Sequence, residues 1–542
     1  MRIFNKLKNT SFVNSYKKIL LSIIFLFFPA YWYFKIIAKY QVTCFHYPFG
    51  WDAPRYIADA NYILIRGFTD FLQQDKRMII TSAIFSILRF ISPNDFSVII
   101  AFTFILIFLP GLVYSIIIYK LLNQPIFSVI SLAVFFTIPA INYLYAGLYS
   151  QTIALSIGIF LLHILEKNLT FKKMVSIVMM IIVLWVFHKE TLALLALSYI
   201  LVSIYYIMTE KRRKTIIVYN SLIAATFLLT LLIYITLINP QYLKWSVVNL
   251  ESISKTRTPL TLEKFMYSGF GSIFMFLLYC IGLTISALNK KYREKLIYFT
   301  CFNLLGLIII ILSPLEELKY RVMYVLSVPL YSTISLKYVI DKKGIIKFSF
   351  KNFSRKVRPE SFIYIFVLMI LFVNIQSQIN TIDYVNGPIR TWATKKDDST
   401  FFRALQYIRS ELYLKGHTNT YVFTASPLCC YSDYTMIHYL RSFVPAVIIK
   451  CNKVDFSYEK LSFKECKIID SDLYWYNWKL AEIGYSYDEL DFKNFEPNNA
   501  YIILVLLSNL LDYHNLIVEN CSVYLPENTG CVIFIENSSS NN

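Results

Sequence analysis

The sequence predicts an α-helical polytopic membrane protein of about eleven transmembrane helices, followed by a C-terminal soluble α/β domain. Three observations predict it. The 542 residues are 56% hydrophobic and only 16% charged, with a mean hydropathy of +0.51, where soluble domains carry roughly 25% charged residues. Apolar runs long enough to span a bilayer recur along most of the chain. Charge is also unevenly divided: residues 1–377 hold 39 Lys/Arg and 15 Asp/Glu, whereas residues 378–542 hold 14 and 19. The net charge of +19 therefore belongs to the membrane half. It is not the footprint of a nucleic-acid binder, and no nucleic-acid partner is expected.

The first element follows a basic leader. "MRIFNKLKNTSFVNSYKK" has five basic and no acidic residues, and "ILLSIIFLFFPAYWYFKIIA" behind it is about twenty residues, enough to span. No small-residue cleavage site follows, so an uncleaved helix with a cytoplasmic N-terminus is expected. The remaining spans are read at roughly 97–118, 126–144, 147–165, 174–187, 190–209, 215–236, 268–288, 296–313, 320–338 and 359–377, with the first at 19–38. The connectors "EKNLTFKK", "EKRRK", "NKKYREK" and "DKKGIIKFSFKNFSRKVR" are all rich in Lys and Arg. With the N-terminus inside, each of them falls inside, as the positive-inside rule requires. Eleven spans then place the C-terminal domain outside a cell membrane that the chain crosses many times.

One apolar run, "MIITSAIFSILRFIS" at 78–92, would invert every later loop if it spanned. It is short and carries Arg89, and is expected to lie in the membrane interface within a first external loop of about 39–96. A membrane domain over 1–377 and an extracytoplasmic α/β domain over 378–542 follow. In the latter, "TFFRALQYIRSELYL" has a helical apolar period, and "TYVFTAS", "AVIIK", "AYIILVLL" and "CVIFIEN" read as strands. Six of the nine cysteines lie there. Outside the cytoplasm, one or two disulfides are expected, Cys451–Cys466 or Cys521–Cys531 for example.

Polar residues beside apolar spans are costly and seldom accidental. Three clusters fall on the outer side of this topology. The first is Asp52, Arg55 and Tyr56 in "GWDAPRYIADA", with Asp59 one turn on and Arg77 at the end of the loop. The second is His188, Lys189 and Glu190 in "FHKE". The third is Glu316, Glu317, Lys319, Tyr320 and Arg321 in "SPLEELKYR". Each has a plainer reading. Asp52 is a good N-cap for a helix starting at Ala53, whose Ile57, Ala60 and Leu64 share a face. "HKE" reads equally as a solvated turn, and Glu317–Arg321 as an i,i+4 pair. Basic groups at outward-facing mouths, against the positive-inside trend, point to an anionic ligand.

"GWDAPRYIADANYIL", "GLYSQTIALSIGIFLL", "FHKETLALLALSYIL" and "YRVMYVLSVPLYSTISL" together resemble the GT-C superfamily of polytopic glycosyltransferases, its bacterial and archaeal members in particular. The resemblance implies a GT-C-like membrane domain and an inverting sugar transfer at the outer face. The donor would be a polyprenyl-phosphate-linked sugar and the acceptor a glycan, lipid or protein. It places Asp52 in the catalytic acidic position. It implies donor-phosphate or substrate roles for Arg55, Tyr56, Arg77, His188, Lys189, Glu190, Glu317 and Arg321. A divalent metal is compatible with such chemistry but no DxD motif indicates one. Two other classes fit the composition: another lipid-linked-glycan enzyme (a polymerase or ligase), and a transporter or flippase, which should show helix breaks near mid-membrane.

Overall fold

The computed structural model describes residues 23, 26–37, 53–69, 79–92, 96–145, 147–165, 171–209, 213–233, 259–341 and 367–379, with the backbone of seven strands between 419 and 534. The chain divides into two compact units. One comprises Met1–Lys39, Phe102–Lys244 and Arg257–Val385; the other comprises Tyr40–Ala101, Trp245–Thr256 and Asn386–Asn542.

The first unit is helical. After a π-helical turn at Trp32–Ile37, and with α1 (Ala53–Arg66) and α2 (Ile79–Ile91) assigned to the other unit, it contains most of α3 (Ser97–Leu122), then α4 (Pro125–Thr137), α5 (Ala140–Tyr145), α6 (Tyr149–Leu165), α7 (Phe171–Phe187), α8 (Lys189–Thr209) and α9 (Arg213–Ile233). A bent entry at Leu262–Phe270 leads to α10 (Ile273–Leu288), followed by α11 (Lys290–Leu312), α12 (Glu316–Val325), α13 (Val328–Asp341) and α14 (Val367–Ile379). Among the described residues, three helices are long and apolar enough to cross a membrane: Ser97–Leu122, Glu190–Thr209 and Lys290–Leu312. Two bent pairs raise the number to five if each is one span. The side chains confirm the solvent. Ile105, Ile116, Ile200, Leu228, Ile308 and Ile311 are exposed, while Asn142, Ser198, Asn303 and Thr333 are fully buried. That inverted pattern is what lipid imposes, since apolar groups can face hydrocarbon and polar groups must find each other. It is a membrane protein.

Several expected spans are broken. The run read at 126–144 stops at Thr137 and resumes at Ala140, because Pro139 has no N–H to continue it. The run at 268–288 turns by 85° between Leu262–Phe270 and α10; Gly271 takes a φ of +85° there, a conformation that suits glycine. The run at 320–338 bends by 50° between α12 and α13, at Leu326 and Ser327.

The freed backbone groups are met by side chains. Asn374 Nδ2 donates to the Phe270 carbonyl at 3.0 Å, and Asn374 Oδ1 accepts from Ser272 Oγ at 2.7 Å. Gln378 Nε2 donates to the Phe136 and Ile138 carbonyls at 3.1 and 3.4 Å. Asn142 joins the Trp32 indole, at 3.1 Å, to the Gln378 carbonyl, at 2.9 Å. At the third break, the Ser327 amide donates to Asn303 Oδ1 at 2.8 Å, and Asn303 Nδ2 and Tyr114 both donate to Ser327 Oγ. In lipid, such internal pairing is what makes broken helices tolerable.

Helices α10 and α13 pack backbone to backbone. A Cβ added at Gly282 would lie 1.9 Å from the Tyr331 carbonyl oxygen, so only glycine permits the approach. Gly282→Ala should therefore destabilise the bundle by about 1–3 kcal/mol, read as a lowered melting temperature in detergent micelles.

The second unit contains α1 (Ala53–Arg66), α2 (Ile79–Ile91) and a seven-stranded mixed sheet in the order β4-β3-β2-β1-β5-β7-β6. The strands are β1 Asn419–Thr424, β2 Val447–Ser457, β3 Lys460–Ile469, β4 Glu482–Asp491, β5 Asn499–Leu504, β6 Val523–Tyr524 and β7 Gly530–Phe534. β1 runs parallel to β2 and β5, and the outer pairings are antiparallel. The β2–β3 register sets Cys451 directly opposite Cys466, the pairing given as an example from the sequence. Cys521, and the helix expected at "TFFRALQYIRSELYL", lie outside the described residues.

Helix α2 is inside out. Thr81, Ser82, Phe85, Ser86 and Arg89 are buried, whereas Ile80, Ile87, Phe90 and Ile91 are exposed. A helix that hides its polar stripe and displays its apolar one is suited to a lipid boundary. In α1, Ile57 and Ala60 are buried as expected, but Leu64 is exposed. By that point the inward face has rotated onto Asn61, which is drawn in by Arg89.

Candidate functional site

The polar cluster with the most complete geometry lies in the helical unit, where three helix starts meet. Gln151 is in the first turn of α6, Glu190 in the first turn of α8, and Glu317 in the first turn of α12. Carboxylates in first turns are stabilised by the partial positive charge of the helix N-terminus. Arg321, one turn beyond Glu317, ties the three together. Its Nε donates to Glu317 Oε1 at 2.9 Å and its Nη1 to Glu190 Oε1 at 3.1 Å, while its backbone carbonyl accepts from Gln151 Nε2 at 2.8 Å. These links join residues 131 and 170 positions apart.

His188 completes the group. Its Nδ1 accepts from the Thr191 amide at 3.3 Å and lies 2.8 Å from Thr191 Oγ1, the arrangement of an N-cap on α8. With Nδ1 accepting, the ring proton belongs on Nε2, which faces Glu190 Oε2 at 3.5 Å. The side chains grade from Glu317, 6% exposed, through His188 at 9% to Glu190 and Arg321 at 18% and 21%. One wall of the group is therefore sealed and the other is open. Beside it, Glu316 accepts from Lys319 Nζ and from the Leu260 amide, both at 2.7 Å, which pins the segment entering the Leu262–Phe270 bend.

Thus His188, Glu190, Glu317 and Arg321, singled out as separate clusters in the sequence, form one network. Lys189 is the first residue of α8; its side chain lies outside the described residues. Gln151 and Thr191 were not anticipated. The available signal was modest: a Gln in the first turn of an apolar helix, and a Thr three residues after a capping His. Among the described residues no group of three or more His, Cys, Asp or Glu could hold a metal ion.

The second unit carries the other cluster. Ser82 Oγ donates to Asp59 Oδ2 at 3.1 Å, and Arg89 Nε to Asn61 Oδ1 at 3.3 Å, so two polar rivets fasten α1 to α2. The Arg89 guanidinium also sits 4.5 Å from the Phe96 ring centroid. Tyr56 is buried with its ring stacked on Phe85, 5.4 Å between centroids, and Arg55 is buried too. These two side chains are packed inward and serve the hairpin at least as much as any ligand. Asp52 and Arg77 lie outside the described residues; α1 begins at Ala53, the residue after Asp52.

No protein-family model matches the chain, and no curated protein matches it in sequence. Among solved structures, it is similar to the archaeal oligosaccharyltransferase AglB from Archaeoglobus fulgidus, solved with an inhibitory peptide and a dolichol-phosphate. That match has 13% identity and a TM-score of 0.47, covering 79% of this chain and 64% of that one. A second structure of the Archaeoglobus fulgidus oligosaccharyltransferase, tethered through a disulfide to an acceptor peptide containing the NVT sequon, matches with 12% identity and a TM-score of 0.49. It covers 80% of this chain and 64% of that one. The chain thus spans less than two thirds of the length of the solved chains it resembles.

Proposed function

We propose that the chain is an integral membrane glycosyltransferase that moves a sugar from a polyprenyl-phosphate-linked donor to an acceptor at the outer face of the membrane. The observation that carries this reading is the Glu190–Arg321–Glu317 network with His188, a cation held between carboxylates where three apolar helices begin. Helices that the charge alternation assigns to one side contribute to it, since residues 151, 188, 190, 317 and 321 all fall at expected outer ends. The inside-out α2 fits an interfacial helix in the first outer loop.

In this reading Asp52 takes the proton of the acceptor as its nucleophilic atom attacks the anomeric carbon. The bond from that carbon to the donor's phosphate oxygen breaks, and its electron pair leaves with the lipid phosphate, giving inversion. Arg321 stabilises the negative charge on that phosphate, with Lys189, His188, Arg55 and Arg77 as further groups toward donor or acceptor. Eleven spans, a cytoplasmic N-terminus and a soluble extracytoplasmic α/β domain over 378–542 that binds the acceptor belong to the same proposal.

A transporter is the second reading, favoured by the broken helices at Pro139, Gly271 and Ser327. Against it, Asn374, Gln378 and Asn303 already satisfy backbone groups at those breaks. One experiment separates the two. Purified protein incubated with a polyprenyl-phosphate sugar in detergent, where no gradient exists and water can stand in for the acceptor, should release free sugar and polyprenyl phosphate. Movement of the lipid across vesicles without release would overturn the enzyme reading.

A further inference from the structure

The charge arithmetic around Arg321 sets a condition on any anionic ligand. One guanidinium stands against two carboxylates, Glu190 and Glu317, and with the neutral His188 that the contacts favour the described group carries a net charge of −1. A phosphate approaching that group meets repulsion as well as attraction, and at least two of the guanidinium's nitrogens are already engaged. The carboxylates are not equivalent. Glu317 is on the same helix as Arg321 and 6% exposed, so removing it from its partner would strand a buried charge. Glu190 is on a different helix and, at 18% exposed, three times as open to solvent as Glu317, so its pair with Arg321 is the weaker and more readily exchanged of the two. It also has somewhere to go: its second oxygen is 3.5 Å from His188 Nε2, the nitrogen that carries the proton when Nδ1 accepts from Thr191.

We infer that Glu190 is a displaceable carboxylate that occupies Arg321 until an anionic phosphate arrives, and then shifts onto His188. Glu317 keeps the guanidinium in place through the exchange. The role is regulatory: Glu190 stands in for the phosphate in the resting state, and so prevents a partly open cation from collecting unrelated anions. The inference rests on the reading of Arg321 as a phosphate contact.

The test measures binding of farnesyl phosphate, as a short polyprenyl phosphate, to the full chain in detergent micelles. Glu190→Gln removes the competing charge, keeps the side-chain shape, and should bind about threefold to tenfold more tightly than the unmodified protein. Arg321→Gln should bind more weakly than both. If Glu190→Gln fails to fold by its melting curve, Glu190→Asp, which withdraws the carboxylate by one methylene, should tighten binding in the same direction. Equal or weaker binding by the Glu190 variant, with Arg321→Gln still weaker than the unmodified protein, overturns the displacement and leaves the phosphate contact standing. Indistinguishable binding by all three overturns the phosphate contact, and the displacement falls with it.

Discussion

Asp52→Asn is expected to lower sugar transfer by at least about a hundredfold, the usual scale for losing a positioned general base, with expression and melting temperature near those of the unmodified chain. The pairing of those two outcomes is what makes the substitution informative. Asn caps a helix nearly as well as Asp, so the start of α1 at Ala53 should survive. An Asp52 that only caps the helix predicts full activity in the variant. Transfer measured as release of polyprenyl phosphate, beside a melting curve on the same preparation, decides between them, and retained activity would remove Asp52 from the mechanism.

Arg321→Gln should have an effect of similar size but a different signature. Loss of a cation that stabilises a developing phosphate charge costs about a hundredfold to a thousandfold in rate. The same change leaves Glu190 and Glu317 without their shared partner, and the sealed position of Glu317 makes that costly, about 1–3 kcal/mol after allowing for partial exposure. Adding Glu317→Gln removes the stranded charge. The double variant should therefore recover its melting temperature while transfer stays low. Recovery of transfer in the double variant would make Arg321 a purely structural member of the network.

What the sequence made legible was the set of polar residues that cannot rest in lipid. His188, Glu190, Glu317 and Arg321 stood out because each lies beside an apolar run, where a polar side chain must find a partner. Their convergence meets that need. The helix breaks were harder to read. Pro139 and Gly271 are visible as punctuation, but Pro110 lies inside the continuous helix α3, so punctuation alone does not separate a break from a tolerated proline. The bend at Ser327 has no glycine; Pro329, two residues on, has no amide to continue the helix, and Asn303, 24 residues away, accepts the Ser327 amide. Arg55 and Tyr56 read as members of a polar cluster at a helix start in the first external loop, and their burial follows from the packing of α1 on α2 through Phe85, Ser82 and Arg89, which no local pattern specifies. Gln151 was hidden for the opposite reason: a single amide in an apolar helix is common, and its partner is a backbone carbonyl 170 residues away.

The side chains of Asn374 and Gln378 on α14 also impose an order on synthesis. The carbonyls of Phe136, Ile138 and Phe270 receive their donors from a helix made more than a hundred residues later. Until α14 has been made, those carbonyls lack the side-chain donors that they have in the finished fold. The last helix of the described bundle thus locks breaks made long before it, and a chain cut short before residue 374 would lack those donors.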